Sequence, residues 1–218
     1  MTDGRISSQE RRLQSIADSC ILTLRARQLT QALMKAPYFF GYGSLVNRAT
    51  HAYPEAQTAT LSGWRRAWVR ARERDDLVFL TAVPDPAARI SGLIAAVPNA
   101  DWVALDTRET GYRRRDATDA VTHVATQAES IAVYAIDPRD MRREGQHHIL
   151  QSYLDVVVQG FLNEFGEEGV AEFFATTSGW DTPVLNDRAK PLYPRAQVLT
   201  TFETALVDHH LARARVGL

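Results

Sequence analysis

Apolar positions follow helical spacing at the start of the chain, alternate through its middle and return to helical spacing near its end. Leu13, Ile16, Ala17, Cys20 and Leu24 share one helix face within residues 7–34, and Ser7 and Glu10 are spaced as a capping box. With Pro37 just beyond, this predicts an added N-terminal helix, a helical extension over residues 1–36. Tyr38-Phe39-Phe40-Gly41-Tyr42 reads as a buried strand ending in glycines. Residues 57–72 alternate loosely, with Leu61, Trp64, Ala67, Trp68 and Val69 set among arginines. Leu77–Val83 and Ile90–Val97 predict two more strands, separated by a Pro84-Asp85-Pro86 turn. Asn99 is placed to cap a short helix from Ala100 to about Arg108. Strand character returns at Val121–Ala125 and Ile131–Ile136. The strongest helix runs over Ile149–Phe165, with Leu150, Tyr153, Leu154, Val157, Phe161 and Phe165 on one face and Gly166 as its stop. A short helix over 167–175 and an amphipathic one over 202–215 follow, with 176–200 an ordered loop lying across the body.

Strands first and helices largely last predict an α+β domain over residues 37–218. The many short strands suit a small mixed β-barrel, or a curved sheet, flanked by helices.

Composition narrows the classes. Of 218 residues, 45% are apolar and 23% charged, enough for a sizeable core. A net charge of −1 supplies no long-range field toward nucleic acid or an anionic membrane. One cysteine, Cys20, excludes an intrachain disulfide and suits a reducing compartment. No apolar run approaches the roughly 20 residues that span a bilayer, and MTDGRISSQERR lacks the order of a secretory signal. The expectation is a cytoplasmic protein with neither nucleic-acid nor membrane partner, and a homodimer is left open.

Two features carry candidate chemistry. Gly41-Tyr42-Gly43-Ser44 ends an apolar strand with two residues lacking Cβ, where backbone N–H groups can turn toward an anion or a carbonyl oxygen. It is no dinucleotide fingerprint, because Val46 holds the third glycine position, and no Walker loop, because no Gly-Lys-Ser/Thr follows. Nor is Ser44 in a nucleophile elbow, since Tyr42 and Val46 replace the flanking glycines. A tight turn without a ligand is the competing reading. Glu109 sits where a short helix meets a Gly-containing turn, either as a solvated helix end or as an acid or base. The pairs His147-His148 and His209-His210 lack metal-ligand spacing, so no metal site is expected. Arg65–Arg74 reads as a solvated strand face.

In combination these residues resemble the γ-glutamylcyclotransferase-like superfamily and its ChaC branch, over roughly residues 38–160. The resemblance rests on Tyr42-Gly43-Ser44-Leu45 after the first strand, on Arg108-Glu109-Thr110-Gly111-Tyr112, on Tyr134 in a following strand and on Tyr153 opening the next helix. It implies an enzyme without cofactor that cyclises a γ-glutamyl amide to 5-oxoproline and releases an amine or peptide. Glu109 is then the catalytic residue, and Tyr42, Gly43, Ser44, Leu45, Tyr134 and Tyr153 bind substrate. Tyr112, Arg188 and Arg195 are further candidates, the arginines for a substrate carboxylate. The α-amino group of such a substrate is mostly protonated at neutral pH, with a pKa of about 7.7–8.0, so a carboxylate that accepts its proton is chemically apt. Ring closure is intramolecular, with effective molarity on the order of 10⁵ M or more when geometry is held. The leaving group, glutathione-derived or other, stays open. A non-catalytic module for an amino-acid-like ligand is the alternative.

Overall fold

A computed structural model describes residues 35–71, 77–142 and 147–216, and the expected N-terminal helix at 7–34 lies outside them. The first strand, β1 (Ala36–Gly41), is the apolar run expected there, fully buried from Tyr38 to Phe40. It lies between β3 (Val78–Ala96), antiparallel with Phe40 opposite Ile94, and β6 (Ala128–Ala135), parallel with Phe40 opposite Val133. Beyond β6 comes β4 (Arg113–Asp116), and beyond β3 come β2 (Gln57–Ala71) and β5 (Val121–Thr122). Two-residue strands β7 (Met141–Arg142) and β9 (Thr177–Ser178) also pair with β2. A separate parallel pair joins β8 (Ile149–Leu150) to β10 (Val184–Leu185).

The α+β class and the mixed sheet are as the sequence suggests, but the barrel is only half of one. The sheet curls without closing, and its edge strands β4 and β5 do not pair with each other. Helix α1 (Val103–Arg108) packs on one face, and α2 (Gln151–Ala175) and α3 (Thr201–Val216) belong to the other.

Several expectations need correction. The prolines at 84 and 86 do not end a strand. β3 runs through them because Gly63, at φ +79°, faces Asp85 to Ala88 alone, and this bulge absorbs residues that cannot join the ladder. Asn99 does not cap α1. It adopts φ +55° in a 3₁₀ turn, and Asp101 accepts the Val103 N–H at 3.0 Å instead. The long helix begins at Gln151, because Ile149 and Leu150 are drawn into β8. Gly166, at φ +69°, interrupts it as the sequence predicts, and the short helix expected beyond it runs on to Ala175. Strand β4, with its run Arg113-Arg114-Arg115, carries no apolar alternation and was not foreseen, being a charged edge strand.

Alternation in β1 and β6 splits the core. Tyr38, Phe40 and Val133 join the large cluster with Leu154, Val157 and Phe161 of α2, whereas Phe39 and Tyr134 join Leu105 of α1. Each fully buried Leu or Phe contributes about 1.5–3 kcal/mol. The two sides therefore hold β1, and the loop that follows it, from both faces. Among the described residues no helix is long and apolar enough to cross a membrane.

Candidate active site

The loop after β1 folds against itself. Val46 N–H donates to the Gly43 carbonyl at 2.9 Å and Asn47 N–H to the Ser44 carbonyl at 3.1 Å, forming a 3₁₀ turn over Ser44–Val46. Gly41 is needed for this closure, because a Cβ there would stand 2.5 Å from the Leu45 Cβ. Asn47 then ties the loop to α2. Its amide donates to the Val156 carbonyl at 2.9 Å and to Gln159 at 3.0 Å, and Gly160 permits the approach, since its Cβ would meet the Asn47 backbone at 2.7 Å. The same docking brings Tyr153, two turns earlier on α2, over Gly43. A Cβ at Gly43 would lie 2.6 Å from the Tyr153 hydroxyl. Trp68 and Tyr193 hold the Tyr153 ring edge-on, at centroid separations of 5.9 and 5.0 Å. Burial pushes the Tyr153 hydroxyl well above its ordinary pKa, so it stays protonated and can donate.

Arg66 supports the loop from inside the core. It is fully buried. It donates to the Tyr42 carbonyl at 3.1 Å, to Thr176 Oγ1 at 2.8 Å and to the Ser91 carbonyl. Its guanidinium lies over the Phe161 ring, 4.7 Å from the centroid. Burial lowers its pKa to about 9, with the Glu172 carboxylate opposing the shift. The expectation of a solvated arginine face fails at this residue. An arginine whose three guanidinium nitrogens each donate a hydrogen bond and whose flat face lies on aromatic rings can be buried.

Glu109 closes α1 as its C-terminal cap, with its N–H donating to the Leu105 carbonyl at 2.9 Å. Its carboxylate is 17% exposed and accepts from Arg108 Nε at 3.2 Å. Arg108, 8% exposed, also donates to the Thr50 carbonyl at 2.8 Å, to Thr50 Oγ1 at 3.1 Å and to Ser44 Oγ at 3.4 Å. One guanidinium thus links the acid to the loop. Burial raises the Glu109 pKa above the ordinary carboxylate value, against the opposing charges of Arg108 and Arg195. A carboxylate whose proton affinity is raised in this way is suited to take up and return a proton.

Two cavities meet at this carboxylate. An inner recess of about 30 Å³ is bordered by Tyr42, Gly43, Ser44, Leu45, Leu80 and Tyr134, and has room for a single water-sized group. An outer chamber of about 520 Å³ is bordered by Phe79, Arg108, Leu192, Tyr193 and Arg195, among others. Ser44, Glu109, Tyr112 and Tyr153 line both. The outer volume is within the range of small-molecule sites. Among the described residues, no three His, Cys, Asp or Glu side chains cluster in a way that could hold a metal ion.

The sequence profile of the ChaC-like protein family matches residues 37–160, more than half of the chain. The chain belongs to the ChaC-like family. Among solved structures, one described as a gamma-glutamyl cyclotransferase is similar in fold. It has 14% identity and a TM-score of 0.50, over 80% of this chain and 99% of its own. A human protein described as uncharacterized matches at 15% identity and a TM-score of 0.51, also over 80% of this chain and 99% of its own. No curated protein matches in sequence.

In this ChaC-like chain the structure brings Tyr42, Gly43, Ser44, Leu45, Glu109, Tyr112 and Tyr153 to one place, with Arg195 on the outer wall. Three candidates stand differently from expectation. Tyr134 borders the recess, but its hydroxyl donates to Asp106 on α1, and its carbonyl accepts from the Tyr42 hydroxyl at 2.6 Å, so both tyrosine hydroxyls are committed to structure. Tyr112 likewise gives its hydroxyl to the Leu80 carbonyl at 2.9 Å. Arg188 is not at the cavity. Its Nε and Nη2 grip Asp155 at 2.7 Å each and Nη1 reaches Asp208 at 2.8 Å, so it pins the 176–200 loop to α2 and α3. Sequence reasoning missed Arg66 and Tyr193. Neither lies in a motif, and an arginine in an arginine-rich strand gives no sign of burial.

Proposed function

We propose that this protein is a γ-glutamylcyclotransferase-type enzyme that converts a γ-glutamyl amide to 5-oxoproline and a free amine. Membership of the ChaC-like family supports an activity of that type at the level of the family. The observation that carries the reading is the placing of Glu109: a half-sequestered carboxylate with a raised pKa, shared by the recess and the chamber.

In the proposed reaction, Glu109 takes a proton from the substrate's α-ammonium group. The freed nitrogen attacks the γ-carbonyl carbon, forming the ring C–N bond. As the bond to the leaving nitrogen breaks, Glu109 returns the proton to that nitrogen. It then carries the second proton of the ring nitrogen to the released amine, which departs as its ammonium form, so Glu109 is regenerated and no water is consumed. The Tyr153 hydroxyl and the Gly43–Leu45 backbone line the recess, and in this reading they serve as the fixed donors for the carbonyl oxygen as it becomes an oxyanion. Ser44 serves as a polar contact held by Arg108, not as a nucleophile.

The test is a panel of γ-glutamyl peptides and γ-glutamyl amines, with 5-oxoproline measured by mass spectrometry. Release from at least one member is expected, and Glu109→Gln abolishes it. No release from any member would refute the reading, and an active Gln variant would remove Glu109 from proton transfer.

A further inference from the structure

Resting on that reading, we infer that Tyr193 is a positioning residue, whose ring fixes the direction in which the Tyr153 hydroxyl points. A tyrosine hydroxyl is only as fixed as its ring, and the outer side-chain torsion of a tyrosine has a broad, two-fold preference. Neighbours must therefore set the angle of the ring. Gly43 lies under the hydroxyl and has no side chain to steer it. Trp68 packs edge-on at 5.9 Å and is itself locked in the core against Trp180, 5.7 Å away. Tyr193 packs edge-on at 5.0 Å, with an interplanar angle of 87°. This geometry is favoured because the positive edge of one ring meets the negative face of the other. Tyr153 and Tyr193 both border the outer chamber and Trp68 does not, so Tyr193 holds Tyr153 from the side on which a substrate enters.

The strap around Tyr193 is clipped to the same turn of α2. Asp187, 8% exposed, accepts the Ser152 N–H at 2.7 Å, the Ser152 hydroxyl at 2.5 Å and the Leu192 N–H at 2.8 Å. The Tyr193 N–H in turn donates to Ser152 Oγ at 3.3 Å. Ser152 precedes Tyr153 and Leu192 precedes Tyr193, so one buried carboxylate fixes the backbone beneath both rings. A contact that positions a functional group has to be held in this way, with its own support locked. Tyr193 is also felt electrostatically at the Tyr153 hydroxyl, which sets the two phenols close together. Tyr153 lies within the segment that matches the ChaC-like family, and Tyr193 lies beyond it. The donor over the loop thus depends on a part of this chain that the family profile does not cover.

The test measures kcat and KM of Tyr193 variants on the γ-glutamyl peptide that gives most 5-oxoproline in the panel. Tyr193→Ala should lower kcat about 10- to 100-fold, the scale of misplacing a positioning group, with KM changed less than about threefold. Tyr193→Phe keeps the ring and should restore kcat to within about threefold of the wild type. In a Tyr153→Phe background Tyr193→Ala should cost less than about twofold, because the hydroxyl it positions is gone. Thermal melting accompanies each variant. Should Ala misfold, Tyr193→Leu takes its place, filling the space without an edge-on ring. A kcat that survives loss of the ring would overturn the inference. So would an effect on KM alone, which would make Tyr193 a chamber wall, or a Phe variant as slow as Ala, which would assign the effect to the Tyr193 hydroxyl. An equal loss with and without the Tyr153 hydroxyl would overturn it too. All of these results leave 5-oxoproline release and Glu109 standing, whereas no 5-oxoproline from any γ-glutamyl amide overturns the reading and the inference together.

Discussion

Gly43→Ala probes the close approach of the loop to α2. The backbone at Gly43 has φ −126°, so alanine meets no left-handed strain, and its cost is steric. The new methyl would lie 2.6 Å from the Tyr153 hydroxyl oxygen, against an ordinary contact of 3.4 Å or more, so the hydroxyl must retreat by about 0.8 Å. Tyr153 cannot yield easily, because Trp68 and Tyr193 pack against its ring. Overpacking of this kind costs about 1–3 kcal/mol, which for a domain of this size lowers Tm by roughly 2–12 °C. A displacement approaching 1 Å at a positioning group is worth on the order of 10²-fold in rate. The double mutant Gly43→Ala/Tyr153→Phe separates the two effects. Without the oxygen, the nearest atom of ring 153 is Cζ at 3.8 Å, an ordinary contact. Stability measured by urea unfolding should recover with a coupling of at least about 1 kcal/mol, while 5-oxoproline release stays low because the donor is gone. If the two single-mutant costs instead add to within about 0.5 kcal/mol, the contact does not limit the loop and the reasoning fails.

Glu109 and Arg66 make the remaining predictions. Because burial raises the Glu109 pKa, the folded state holds this proton more tightly than the unfolded chain does. Ionised Glu109 therefore costs stability, absent below the unfolded value of 4.5 and fully present above the folded one. Glu109→Gln should melt with the wild type near pH 4 and above it near pH 8; a stability difference that does not change with pH would contradict the assignment. Arg66→Met keeps the bulk but removes the donors to Tyr42, Ser91 and Thr176 and leaves Glu172 uncompensated. A loss of about 3–5 kcal/mol is expected in urea unfolding, and a loss below about 1 kcal/mol would show that the buried guanidinium is not what secures the loop.

Much of this site could be read in order along the chain. The aromatic run at 38–42, its glycines and Glu109 stand out because each needs a particular local chemistry: a buried strand, a turn without Cβ, a carboxylate at a helix end. Helices α2 and α3 were likewise visible in their apolar spacing, since a helix must turn one face to the core whatever lies there. Strand β4 and the run through Pro84 and Pro86 were not visible, and the choice between a closed barrel and a curved sheet stayed open, because a charged edge, a bulge and closure depend on the partner strand and not on local pattern. Candidate tyrosines show the same divide. Sequence could name Tyr42, Tyr112, Tyr134 and Tyr153, but it could not assign their hydroxyls, and the fold commits the first three to structure while setting the fourth against Gly43. Arginines divide more sharply still. Arg66, Arg108, Arg188 and Arg195 are equivalent as letters. Packing buries the first, pairs the second with Glu109, spends the third on Asp155 and Asp208, and sets the fourth at the chamber wall with no ion pair to any described residue. Residue type thus determined which chemistry was available here, and only long-range packing, which sets desolvation and the distance to each partner, decided where it is exerted.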